Sequence, residues 1–289
     1  MLTLAGNTRL PQIKTLIPDI YKLISEEPKF KEEDVREFTE GLSRTIVSRL
    51  SEPRLPGRLR LSNLGTKCSR KLWYTINTPG RAIPLPAPAR IKFLFGDILE
   101  SLLFFLAKAA GHDVSDQQKR VEINGVQGSM DGRIDGHLVD AKSASSFSFK
   151  KFEEGLKEET DAFGYLTQLS SYARADGGDE ASFLVIDKTL GKIVLDTHRI
   201  TRPKEYFERL ADQRREMLAL PKPPPRGFGD TPEGSSGNRK LGVECGYCEF
   251  RKECWPGLRA FAYSHKPVYL THVQKEPKVP EIDIEAEAP

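Results

Sequence analysis

One stretch constrains this chain more than any other: Gly128-Ser-Met-Asp131-Gly-Arg-Ile-Asp135-Gly136-His-Leu-Val-Asp140-Ala141-Lys142. Asp135-Gly136 between two runs that contain apolar residues predicts a two-residue hairpin turn of type I′, which needs positive φ at both central positions. With the turn there, Ile134 faces His137, and counting outward sets Asp131 opposite Asp140. Directly opposed residues share a face, with Cα atoms about 4.5–5.5 Å apart. Two carboxylates so placed repel each other unless a cation lies between them. Lys142 points to the same face by the strand period of two. The alternative is a hairpin whose charges face water. Ile134, Leu138 and Val139 make parts of both strands apolar, which favours a site.

The flanking segments predict an α/β fold with a mixed central sheet. Residues 120–124, 126–134 and 137–143 read as a three-stranded meander, with a second I′ dipeptide at Asn124-Gly125. Residues 182–187 form an apolar strand with 192–200 as its hairpin partner. A helix over 90–110 is apolar on most sides and is therefore expected to be largely buried. Glu100 lies in its middle, where a carboxylate is costly unless it is paired or binds a metal. The other reading puts Glu100 on a narrow wet face with Asp97 and Ser101. On a helix over 161–175, Tyr165, Gln168 and Tyr172 share a face. Pro203 opens a helix to about 220, and 221–237 is an exposed loop rich in proline, glycine and serine.

Two amphipathic series before residue 50 predict a helical arm whose role is not legible. A breaker-rich linker follows at 53–57. Ser62 is the expected N-cap of a short helix carrying Cys68, Arg70 and Trp73. In series, the expected organisation is an arm (1–52), a catalytic domain (53–265) and a flexible acidic tail (266–289) containing Glu281, Asp283, Glu285 and Glu287.

At 289 residues the chain is long enough for a real core, and its net charge of +3 says little in bulk. Lysine and arginine nevertheless crowd the stretch 49–92 against the single acid Glu52, which fits a polyanion such as DNA or, equally, a solvated loop. No apolar run reaches transmembrane length, and the first seven residues lack the basic-then-apolar order of a signal peptide. A cytoplasmic setting is therefore expected, with reduced thiols. The four cysteines are Cys68 and a C-x2-C-x5-C group, Cys245, Cys248 and Cys254. Clustered thiols in that setting read as metal ligands rather than disulfides. Four thiolates suit zinc or an iron–sulfur cluster. The presence of only one C-x2-C knuckle, with the fourth ligand far upstream, favours [4Fe–4S] over Zn²⁺. Such a cluster would tie the basic helix near Cys68 to the C-terminal segment.

These residues together resemble the RecB-like branch of the PD-(D/E)XK nuclease superfamily, closest to its iron–sulfur members such as phage exonucleases and CRISPR-associated nucleases. The resemblance covers about residues 60–258. It rests on Gly96-Asp-Ile-Leu-Glu100 (G-x-x-x-H/E), Gly128-Ser-Met-Asp131 (G-x-x-D), Asp140-Ala-Lys142 ((D/E)-x-K), Gln168-Leu-Ser-Ser-Tyr172 (Q-x-x-x-Y) and the cysteine pattern, all in family order. It implies a restriction-endonuclease-like core and Mg²⁺- or Mn²⁺-dependent hydrolysis of DNA phosphodiesters. Glu100, Asp131, Asp140 and the Ala141 carbonyl would hold the metal, since hard cations prefer oxygen ligands. Lys142 would position or deprotonate the attacking water and contact the phosphate. Gln168 and Tyr172 would orient the site or the DNA. Asp135 belongs to the turn, because a shift of register is needed to bring it in. The implied activity is a DNA exonuclease of phage or mobile-element type. Trimming of DNA in CRISPR adaptation is an alternative role, and a non-catalytic DNA-binding module is another. Any unwinding requires a partner, as no P-loop motif is present.

Overall fold

The computed structural model describes residues 12–26, 28–51, 57–84, 86–264 and 266–284. The first seven residues, the linker but for Gly57, and Glu285 and Glu287 of the expected tail lie outside the described residues.

In chain order the helices are α1 (Leu16–Ser25), α2 (Glu32–Ser51), α3 (Leu61–Leu64), α4 (Ser69–Asn77), α5 (Ala87–Ala109), α6 (Ser146–Glu153), α7 (Tyr165–Ala175), α8 (Lys204–Leu218), α9 (Val243–Gly246) and α10 (Arg251–Cys254). The strands are β1 (Val114–Ser115), β2 (Arg120–Ile123), β3 (Val126–Ser129), β4 (Gly132–Ile134), β5 (His137–Ala144), β6 (Glu180–Asp187), β7 (Ile193–Arg199), β8 (Asp230–Pro232), β9 (Arg239–Leu241), β10 (Arg259–Ala262), β11 (Pro267–His272) and β12 (Glu281–Ile282). Among the described residues no helix is long and apolar enough to cross a membrane.

The fold is mixed α/β, as the sequence predicts. Its units interleave along the chain rather than following in series as arm, domain and tail. One comprises Met1–Pro53, Lys92–Thr160 and Leu169–Lys204; the other comprises Arg54–Ile91, Asp161–Gln168 and Glu205–Pro289.

The first unit is built on a five-stranded sheet in the order β1-β4-β5-β6-β7. β5 and β6 run parallel and the remaining pairs antiparallel, so the sheet is mixed. Its core joins Val139 and Ala141 of β5 and Leu184 of β6 to Leu16 and Ile20 of α1 and to Leu103 and Phe104 of α5. Both expected turns form: Asn124-Gly125 and Asp135-Gly136 have positive φ at each position. Ile134 pairs with His137 and Gly132 with Val139, the predicted register. Gly132 has no substitute, since a Cβ there would come within 2.9 Å of the Phe104 ring.

The meander is not continuous. β2 and β3 make a separate two-stranded sheet, and β4 begins only at Gly132. Between them Met130 donates its N–H to the Lys119 carbonyl, and the Asp131 carbonyl accepts from Gln118, so both residues leave the ladder. α5 also departs from expectation. Phe93 and Phe95 are exposed, and only Leu103, Phe104 and Ala107 are buried. One stripe of the helix meets the sheet, while Phe105 packs on Phe30 and Phe38 instead. Apolar content shows that a helix can be buried, not that a partner covers it.

The second unit carries another five-stranded sheet, β12-β10-β11-β9-β8. Its strands β11 and β12 occupy the stretch expected to be a flexible tail, so 266–284 is ordered by sheet pairing. Ser62 lies inside α3 and caps nothing; Cys68 is the N-cap of α4, its Sγ accepting the Lys71 N–H at 3.4 Å.

The start of α7 hangs on one side chain. Buried Asp161 accepts N–H bonds from Phe163, Gly164 and Tyr165 on Oδ1 and from Leu166 on Oδ2, at 2.8–3.2 Å. It satisfies the donors that a helix N-terminus otherwise leaves open. Replacing Asp161 by alanine should cost about 2 kcal/mol, the upper end for a cap. Urea denaturation of Asp161→Ala against wild type measures that loss.

Candidate active site

The carboxylates expected at one site all belong to the first unit, and their charges act on one another. Asp140 on β5 is wholly buried, and its carboxylate touches the Lys142 ammonium, so these two side chains share a face. Asp131, just before β4, is tied to β5: its Oδ2 accepts the Ala141 N–H at 2.8 Å. Glu100 on α5 accepts from the Gln118 side-chain amide at 2.9 Å. The Gln118 backbone N–H bonds the Asp131 carbonyl at 3.2 Å. Gln118 thus clips Glu100 to the segment carrying Asp131, in a backbone with φ of 56° that few side chains adopt.

Electrostatics show how closely the groups act on one another. Burial, followed by the negative charge of Asp140, pushes Glu100 up from an ordinary 4.5 to about 7; Lys142 and the Gln118 bond pull it back. Asp131 is held well above 3.8, first by burial and next by the charges of Asp140 and Glu100; Lys142 and the Ala141 N–H oppose this. An oxygen-rich site whose acids resist ionising has the donor chemistry of a hard divalent cation. The side chains themselves are not drawn in. Among the described residues no three carboxylate, thiol or imidazole groups stand close enough to hold a metal ion. Lys142 on Asp140 and Gln118 on Glu100 occupy oxygens that an ion would share.

Asp135 stays with the turn. Its Oδ2 lies 2.7 Å from His112 Nδ1 and its Oδ1 accepts the Asp113 N–H, so both oxygens face away from the acid cluster's chemistry. Gln168 and Tyr172 lie one turn apart on α7. Tyr172 is buried, which suits it to packing the site and not to touching DNA. Sequence reasoning missed Gln118. Arg49 on α2, read from the sequence only as the first residue of a basic stretch, grips Asp97 one turn before Glu100 with its guanidinium. Neither sits in a motif.

In the second unit Cys68, Cys245, Cys248 and Cys254 form no disulfide and line one small cavity with Tyr74, Phe250 and Trp255. Tyr74 stacks on Phe250 at 5.4 Å between ring centres. Arg226 lies over Trp255 at 3.9 Å and donates Nε and Nη2 to the Cys254 carbonyl. Burial pushes the Cys248 thiol up to about 11. The Cys245 thiol is raised by burial and then by Cys254 and Cys68. Thiols whose ionisation burial hinders, as at Cys245 and Cys248, suit a soft metal or cluster whose charge offsets theirs.

No family model and no curated protein matches the chain. Solved structures with some likeness include SSO0001, with 18% identity, 75% of this chain and 94% of that chain covered and a TM-score of 0.44. Another is an alkaline exonuclease, LHK-Exo, from Laribacter hongkongensis, with 16% identity, 61% and 91% coverage and a TM-score of 0.34. Its complex with dAMP gives 13% identity, 61% and 94% coverage and 0.39. Likenesses this loose decide nothing about activity.

The raised Glu100 carries a sign for stability. Between 4.5 and about 7 the folded chain binds this proton and the unfolded chain does not. Unfolding then releases a proton, so stability is greatest below the lower value and falls as pH rises through the window, by about 3 kcal/mol at most. Melting in EDTA from about pH 5 to about pH 8 should show this decline. Glu100→Gln should flatten it, and a slope unchanged in that variant would count against the assignment.

Proposed function

We propose that this chain is a divalent-metal-dependent deoxyribonuclease. The observation that carries the reading is the mutual influence of Glu100, Asp131 and Asp140 around Lys142, with burial and repulsion raising the proton affinity of Glu100 and Asp131. The order of family motifs that these residues occupy supports the substrate.

Glu100, Asp131 and Asp140 would hold Mg²⁺ or Mn²⁺, with the Ala141 carbonyl as a further oxygen. The bound ion would supply Lewis-acid polarisation of the scissile phosphate and a more acidic water. The chain's own residues do the rest. The Ala141 N–H keeps the Asp131 carboxylate aimed beside β5. Asp140 keeps the Lys142 ammonium at the cluster, where it can take a phosphate oxygen and orient the attacking water. Gln118 sets the Glu100 carboxylate. The family motif Gln168-Leu-Ser-Ser-Tyr172 would give these two residues the role of orienting the site or the DNA. Exonuclease action on ends, of the phage or mobile-element kind, is the form of this activity that the resemblance favours.

Asp140→Ala should lower Mg²⁺-dependent digestion of end-labelled linear DNA by roughly a hundred- to a thousandfold or more. A closed circle that resists digestion places the enzyme at ends, and equal digestion of circle and line would make it an endonuclease. Activity persisting in Asp140→Ala would end the proposal.

Cys68, Cys245, Cys248 and Cys254 would hold a structural [4Fe–4S] cluster. Anaerobically purified protein should be brown, absorbing broadly at about 400 nm, and each Cys→Ser change should remove the colour and lower the melting temperature. A colourless protein carrying zinc would replace the cluster with the ion.

A further inference from the structure

The helix α2 belongs to the segment whose purpose the sequence leaves unread. It runs beside α5: Lys108 of α5 pairs with Asp34 and Glu37 of α2 at 2.9 and 2.6 Å, and Phe105 stacks on Phe38. Little of α2 is buried, and Val47 and Leu50 stay exposed. A cavity of about 630 Å³ opens between the two helices, within the size range of small-ligand sites. Its lining includes Arg44, Arg49, Asp97, Glu100, Gln118 and Asp131, so the proposed metal-binding acids and the arginines of α2 face one space.

Arg49 is the group of interest. Its Nε and Nη2 meet the two Asp97 oxygens at 2.6 and 2.7 Å, so Asp97 fixes one edge of the guanidinium and a phosphate oxygen would be met by the remaining Nη hydrogens. The Asp97 bond raises its proton affinity, so the guanidinium is charged at any working pH. Arg49 is not the chief anchor of α2: its side chain is 62% exposed against 16% for Asp97, and solvent screening of the guanidinium keeps the pair's contribution small. Lys108 and the Phe105 stack already fasten the helix. Arg49 stands in a fixed pose in a cavity that the Asp34, Glu37, Glu100 and Asp131 carboxylates also line. It suits a polyanion that must approach an acidic site.

We propose that Arg49 binds a backbone phosphate of the DNA strand that enters this cavity, and that Asp97 is its positioning residue. α2 is then part of the substrate site. The inference rests on the nuclease reading for its ligand.

The test is binding of a fluorescein-labelled single-stranded oligonucleotide to the full chain in Mg²⁺, in an Asp140→Ala background that does not cut, over a range of salt. Arg49→Ala should weaken binding roughly ten- to hundredfold and make the slope of log affinity against log salt shallower by about 0.7. Arg49→Lys should recover the slope but not the full affinity, since lysine keeps the charge and loses the fork. The melting temperature should move by less than about 3 °C. In the chain with Asp140 intact, the same change should raise KM and leave kcat close to wild type. An unchanged slope and affinity in Arg49→Ala, while wild type digests DNA, overturns this inference alone. A loss of binding that follows a large drop in melting temperature overturns it as well. A wild-type chain that neither binds nor digests the oligonucleotide removes the nuclease reading, and the inference with it.

Discussion

Repulsion among buried acids is the constraint that the first unit is arranged to withstand. Asp140 lies wholly inside, and its charge falls on Glu100 and Asp131, which also lose hydration. Left alone, such groups would swing apart or drive the strands out of register. The surrounding structure denies them that freedom. A two-residue turn fixes β4 against β5, a backbone N–H holds Asp131, and Gln118 joins α5 to the strand segment with one residue. Lys142 supplies positive charge at the centre. The surplus of negative charge is what a divalent cation would offset under the proposed function.

The four thiols follow the same logic with softer atoms. Cys245 and Cys248 resist ionisation first because they are buried and then through nearby charge, Cys254 and Cys68 for Cys245 and Glu249 for Cys248. Tyr74, Phe250 and Trp255 give the cavity aromatic walls beside the cationic side chains of Arg70, Lys71, Arg226 and Arg251. Both sites are thus recognised by like groups held together against their preference.

The parts of this fold that were legible in the sequence are the ones written locally. Asn124-Gly125 and Asp135-Gly136 specify their turns by backbone conformation alone, and the register from Ile134–His137 to Gly132–Val139 follows by counting. Helices α1 and α2 follow from their apolar spacing. What stayed hidden depends on partners distant in sequence. Met130 and Asp131 leave the meander because Lys119 and Gln118 bond them from another segment. The exposed face of α5 reflects how little lies over it, which its composition does not encode. The strands β10 to β12 are short, with proline opening β11, so none is long enough for its alternation to be read. Glu100, Asp131, Asp140 and Lys142 stood out in the sequence by residue type and spacing, and the structure adds how their charges act on one another. Gln118 and Arg49 act through geometry, which only coordinates reveal.

The turn at Asp135-Gly136 has a further consequence, one of parity. Alternate positions along a strand look to alternate sides, so the number of residues between Asp131 and Asp140 decides whether both can serve one ion. Chains descended from a common ancestor could vary the side chains of this loop widely, provided glycine or a tolerant residue keeps each left-handed position. A single insertion or deletion there would shift β4 against β5 and turn Asp131 away from Asp140, with both still present in the sequence. Loop length, more than loop identity, is the quantity that selection should guard.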